Sequence, residues 1–103
     1  MRIRFDSERA RDYLLSHGYV YTLRTWYNPR QVTATAISGG KPIGLVSIYL
    51  IGAVPLDSEV LAKYVGGSGF SNADEWVEEF MRLNKGRKIK NAYLYRVELI
   101  KKR

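Results

Sequence analysis

Residues 43–56 read IGLVSIYLIGAVPL, the longest apolar run of the chain. At 14 residues, with Ser47 and two glycines inside it and a proline near its end, it falls short of a membrane-spanning helix, which needs roughly 20 apolar residues. It reads as a buried strand. VTATAI (32–37) precedes it as a second strand and SGGK (38–41) joins the two, so residues 32–54 predict a hairpin. The glycine turn is not a phosphate cradle. A Walker-type loop requires GxxxxGK followed by Ser or Thr opening a helix, whereas Lys41 is followed by Pro42 and a strand.

A long buried strand needs partners, and the rest of the chain offers short segments that alternate. RIRF (2–5) is a strand candidate; Asp6 or Ser7 can cap a helix through about Ser16, with Ala10, Tyr13 and Leu14 on its apolar side, His17 one turn further and Gly18 ending it. Residues 19–26 alternate as a strand until Asn28-Pro29 interrupts. A short helix is predicted from Asp57 to about Val65, carrying Val60, Leu61 and Tyr64 at helical spacing. SNADEWVEEFMRLNKG (71–86) is the best-marked element, with Ser71 as cap, Asp74 completing a capping box and Trp76, Val77, Phe80, Met81 and Leu83 on one face. NAYLYRVELI (91–100) is the closing strand, placing Tyr93, Tyr95, Val97 and Leu99 on one side.

The order predicts an α+β domain of about five strands and three helices, its mixed sheet curled or closed into a small barrel so that less backbone is left unpaired. With 103 residues, 46% of them hydrophobic, the chain suits a single domain spanning 1–103 that buries roughly two thirds of its unfolded surface. No cysteine is present, which excludes a disulfide framework, a thiol nucleophile and a zinc ribbon. Charged residues begin at once in MRIRFDSERARDY, so an intracellular, cytoplasmic protein without a signal peptide is expected. Glu75, Glu78 and Glu79 are expected to be solvated on the outer side of their helix, and neither a metal nor a cofactor is expected.

The net charge of +7 is unevenly spread: residues 1–30, 31–84 and 85–103 carry +3, −3 and +7. If the chain ends meet in space they form one positive face, which draws in polyanions. The stretch SHGYVYTLRTWYNPR (16–30) sets Tyr19, Tyr21, Trp26 and Tyr27 among Arg24 and Arg30. Rings that stack on bases beside cations that meet phosphates are the means of holding single-stranded or looped RNA. Period 2 puts Val20, Thr22, Arg24 and Trp26 on one side and Tyr19, Tyr21, Leu23 and Thr25 on the other. Candidate nucleic-acid contacts are therefore Tyr19, Thr22, Arg24, Trp26, Tyr27, Arg30 and, from GRKIK (86–90), Arg87, Lys88 and Lys90. The bland alternative makes the rings core residues and the arginines rim.

YLLSHGYVYTLR, GLVSIYLIGAVPL, GSGFSNADEWVEEFMRLN and AYLYRVEL together resemble the ASCH family of the PUA-like superfamily, over most of the chain. The resemblance implies a PUA-like barrel of five or six strands tied to RNA, with a cleft between sheet and helices. The family signature GxKxxTxR is matched here at Thr22 and Arg24, while His17 stands at its glycine and Tyr19 at its lysine. Some members resemble hydrolases of an acylated cytidine that use that lysine, the threonine as nucleophile and a glutamate before the GF turn, where this chain has Ser68. With lysine and glutamate both replaced, Thr22 lacks its base. His17 and Thr22 remain the catalytic candidates, an RNA-processing hydrolase or ribonuclease the alternative activity, and a protein-interaction domain the third reading. RNA or nucleotide binding in a basic cleft with aromatic stacking residues, without cleavage, is the expectation.

Overall fold

The apolar run forms the central strand of a sheet that wraps most of the way round on itself. The computed structural model describes residues 1–85, 87 and 89–103. Its elements are β1 (Arg2–Arg4), α1 (Glu8–His17), β2 (Tyr19–Arg24), β3 (Val32–Ser38), β4 (Lys41–Pro55), α2 (Ser58–Leu61), α3 (Ala73–Leu83) and β5 (Asn91–Lys102), with a 3-10 turn at Val65–Gly67. This is the α+β architecture expected: one mixed sheet of five strands with three α-helices. The strand order is β1-β3-β4-β5-β2, with β1 parallel to β3 and every other pairing antiparallel. Lys88 lies outside the described residues.

The length of β4 allows it to serve two layers. Its first half pairs with β3 and its whole length with β5, and the register slips between Leu45 and Val46 and between Leu50 and Gly52. Such bulges bend a strand and raise its twist, so the sheet curls and encloses a core of Ile3, Phe5, Val20, Ala34, Ala36, Val46, Ile48, Tyr95 and Val97, closed by Ala10 and Leu14 of α1. Beyond the second bulge β4 faces the other way. Val54 joins Leu23, Ala92 and Leu94 in a second core on the outside of the sheet, under Leu61 of α2 and Ala73, Trp76 and Phe80 of α3.

Helix ends follow side-chain chemistry. Ser7 caps α1 through its Oγ, which accepts from the Ala10 amide, and Gly18 closes it at φ 83° while donating to Leu14 O. Two expectations are corrected. The cap of α3 is Asn72, whose Oδ1 accepts from the Glu75 amide at 2.9 Å, rather than Ser71. The helix expected over 57–65 stops at Leu61, and the chain then turns into the 3-10 segment so that Gly67 can lie against two rings. A Cβ there would sit 2.7 Å from Cδ2 of Tyr21 and 2.9 Å from Cε2 of Tyr19. Gly69 is equally constrained: it has φ 91°, and a Cβ would come within 2.4 Å of the Arg9 carbonyl oxygen.

Tyr95 ties the loop after β2 to the interior. Its hydroxyl donates to Trp26 O and accepts from the Asn28 amide, both at 2.8 Å, and its ring packs 4.4 Å from that of Trp26. Burial pushes its phenol pKa above the ordinary value. Tyr95→Phe leaves a buried amide and carbonyl without their partner, so a loss of about 1–3 kcal/mol is expected, with faster hydrogen exchange at the Asn28 amide as the local signature.

Candidate nucleotide cleft

The two edge strands of the sheet, β1 and β2, share no backbone pairing, yet they approach each other as the sheet curls. Arg24, the last residue of β2, bridges the seam with its side chain: Nη1 donates to Arg4 O at 2.6 Å and Nε donates to Thr22 Oγ1 at 3.2 Å. The guanidinium also lies 5.0 Å from the centre of the Phe5 ring, a cation–π separation. An arginine suits this seam because its planar fork can serve several acceptors at once.

The seam opens into a cleft of about 450 Å³ between the sheet edge and α3. Thr22, Arg24 and Trp26 line it from β2 and the loop beyond, Ile3, Arg4 and Phe5 from β1, and Trp76, Phe80 and Asn84 from α3. Phe70 adds a further ring, while Arg2, Asp6 and Glu79 contribute charge. Desolvation lowers the pKa of the Arg24 guanidinium from its ordinary value to about 10, with neighbouring Arg4 acting in the same direction and Asp6 partly opposing both. The bound acceptors are a carbonyl and a hydroxyl, both neutral, so the cation is hydrogen-bonded without being neutralised in place. Among the carboxylates nearby, Asp6 pairs with Arg4 at 3.2 Å and Glu79 with Arg82.

The candidates from the sequence divide into groups. Thr22, Arg24 and Trp26 meet in the cleft. Tyr19 does not, because strand alternation turns it to the outer face of the sheet, where it lies between Tyr13 and Tyr21 under the Arg96 guanidinium. His17 does not line the cleft either. Its ring stacks on Tyr13 at 3.9 Å, and Nδ1 lies 3.3 Å from Tyr13 O. The structure therefore does not bring the candidates His17 and Thr22 together, and the Thr22 hydroxyl is engaged with Arg24. Tyr27 is 61% exposed and leans on Tyr93, and Arg30, Arg87 and Lys90 are also exposed. None of these four lines the cleft. Lys88 falls outside the described residues. Ser68, standing where the resemblance places a glutamate, is fully buried and structural: its Oγ donates to Val65 O at 2.7 Å and accepts from the Phe70 amide at 3.1 Å.

Sequence reasoning missed the walls of the cleft. Trp76 and Phe80 were read as core residues of an amphipathic helix, and they are; they are also the side of the cleft facing Arg24. No pattern in the sequence separates a core ring from a ring that both packs and lines a cavity. Phe5 and Phe70 were legible only as parts of a strand and a turn, not as site residues. Comparison with known proteins finds no matching family model, no matching curated protein and no matching solved structure.

Proposed function

We propose that the protein binds single-stranded RNA by taking one of its nucleotides into this cleft, with Arg24 meeting the phosphate and the aromatic walls receiving the base. The observation that carries the reading is Arg24 itself: a half-buried, still cationic guanidinium at the seam of a cleft walled in part by aromatic rings. Burial penalises its charge, and an anionic ligand would relieve that penalty. The cleft volume lies in the range of small-ligand sites, suited to one nucleotide and too small for a duplex. Trp26, at the rim of the cleft and partly exposed, offers the stacking surface. The resemblance to the ASCH family points to the same strand, through Thr22 and Arg24. Cleavage is not part of the reading, because His17 is turned away and Tyr19 and Ser68 stand where the resemblance calls for a lysine and a glutamate.

Nucleoside monophosphates titrated into labelled protein test this. Resonances of Thr22, Arg24 and Trp26 are expected to shift, and Trp26→Ala to weaken binding about 5- to 150-fold, the span of a base-stacking contribution of about 1–3 kcal/mol. No shift at millimolar nucleotide would sink the proposal.

A further inference from the structure

The register of the sheet brings a second set of residues together on the outer face. Tyr21, Arg96 and Tyr49 face one another across β2, β5 and β4. In the next row Tyr19 meets Glu98, Ser47 and Thr33, and beyond it Lys101 meets Leu45, Thr35 and Arg2. Helix α3 covers the neighbouring region of Leu23 and Leu94; Tyr21 packs against the edge of that outer core and Gly67 lies against the Tyr19 and Tyr21 rings, while Tyr49 and Lys101 lie beyond both. Tyr19, Tyr21, Tyr49 and Arg96 are each part exposed, and Lys101 and Arg2 are exposed. The Arg96 guanidinium lies 4.2 Å from the Tyr19 ring centre and 5.5 Å from that of Tyr21. It donates to the Tyr21 hydroxyl at 3.2 Å and reaches Glu98 at 3.6 Å. Glu98 is the sole carboxylate of the three rows and is engaged by Arg96.

We infer that this face is a second contact surface for single-stranded RNA, over which the strand runs on from the cleft. The inference rests on the cleft reading for where the strand begins, and on the face alone for what holds it. Charge selects the occupant: Arg2, Arg96 and Lys101 oppose one carboxylate, so the surface favours a polyanion. The rings select a single strand, since unpaired bases can stack on tyrosine and on an arginine plane whereas a duplex keeps its bases inside. The two surfaces are continuous, because Arg2 and Tyr21 belong to these rows and also line the cleft. Three strand spacings of about 4.8 Å separate Arg2 from Lys101, a reach that calls for several nucleotides. The face also accounts for Tyr19, which the cleft leaves unused.

The test compares a 15-nucleotide oligouridylate, a 3-nucleotide one and uridine monophosphate by fluorescence anisotropy and NMR titration, at roughly 50 and 200 mM salt, the range over which phosphate contacts are lost. The 15-mer is expected to bind at least about tenfold tighter than the 3-mer, because only it spans both surfaces. Lys101→Gln combined with Tyr49→Ala should weaken the 15-mer about tenfold and flatten its salt dependence by about 0.7 in log–log slope, the share of one phosphate contact on a single strand. Binding of the monophosphate should be unchanged. Lys101→Glu, a change at an exposed position, repeats the test without touching a packed ring. An unaltered 15-mer affinity in these variants, equal affinity for 15-mer and 3-mer, or equal affinity for duplex of the same length would each overturn the inference. Failure of the cleft reading shows separately, as loss of monophosphate binding in the unmutated protein.

Discussion

Trp76→Ala is expected to lower the unfolding free energy by about 3–5 kcal/mol, the range for truncating a fully buried aromatic side chain. Trp76 is 3% exposed and packs with Leu23, Leu61, Phe80 and Leu94, where α3 seals the outer core against β2 and β5. Truncation removes apolar area and leaves a void that the neighbours in a close-packed layer cannot fill by small shifts. Against a total of about 5–15 kcal/mol for a domain of this kind, that loss approaches the whole. Denaturant unfolding measures it, with Glu78→Ala as the control: Glu78 sits exposed on the same helix, so its replacement should stay within about 0.5 kcal/mol. Because Trp76 also walls the cleft, the folded fraction of the variant should bind nucleotide more weakly as well.

Arg24→Met should separate binding from folding. The substitution keeps the length and apolar stem of the side chain while removing the charge and the two hydrogen bonds, to Arg4 O and Thr22 Oγ1. Buried cations are held at a desolvation cost, and apolar replacements of similar size are often close to neutral for stability. The thermal midpoint should therefore move little, while nucleoside monophosphate affinity falls at least about tenfold, in the range of a lost charge-assisted hydrogen bond. Arg24→Lys should recover only part of the loss, since one ammonium cannot span the seam and also meet a phosphate.

The same residue sets a pH dependence of known sign. Its folded pKa is lowered to about 10 from the ordinary arginine value, so protonated Arg24 opposes folding, and that opposition is relieved only as pH rises above about 10. Below about pH 9 the group contributes no slope to stability. Anion affinity follows the opposite course: it is expected to hold up to about pH 9 and to fall as pH passes 10, where the guanidinium loses its proton in the free protein. Arg24→Met should abolish this limb of the profile, which a titration of nucleotide affinity against pH would show.

Much of the fold was legible because it rests on local rules. Alternation in VTATAI and NAYLYRVELI depends on neighbouring residues only, and it grouped Tyr93, Tyr95, Val97 and Leu99 on one side, which the structure shows to be the inner side of the sheet. Capping by Ser7 and termination at Gly18 are likewise short-range, set by one side-chain oxygen and one left-handed residue. Ser71 and Asn72 are both good caps, and choosing between them required the backbone angles of Asn72, φ −151° and ψ 165°. The site was less legible. Period 2 already put Tyr19 and Arg24 on opposite faces of β2, yet grouping them by chemistry assigned both to one cleft. The structure keeps Arg24 at the seam and turns Tyr19 outward to Arg96, a residue 77 positions later in the chain.

By itself the sequence determined the kinds of element, their order and the faces of each strand, because propensity, capping and side-chain alternation act within a few residues. It also set the excess of positive charge. Only the tertiary structure decided that β1 and β2 would meet at a seam closed by one arginine side chain, and that rings from α3 would wall the opening. It decided, too, that Tyr19, Tyr49 and Arg96 would share a face, because bulges in β4 and the register of β5 set which rows align. Those relations join residues far apart in the chain, and they depend on curvature and packing that no single segment encodes.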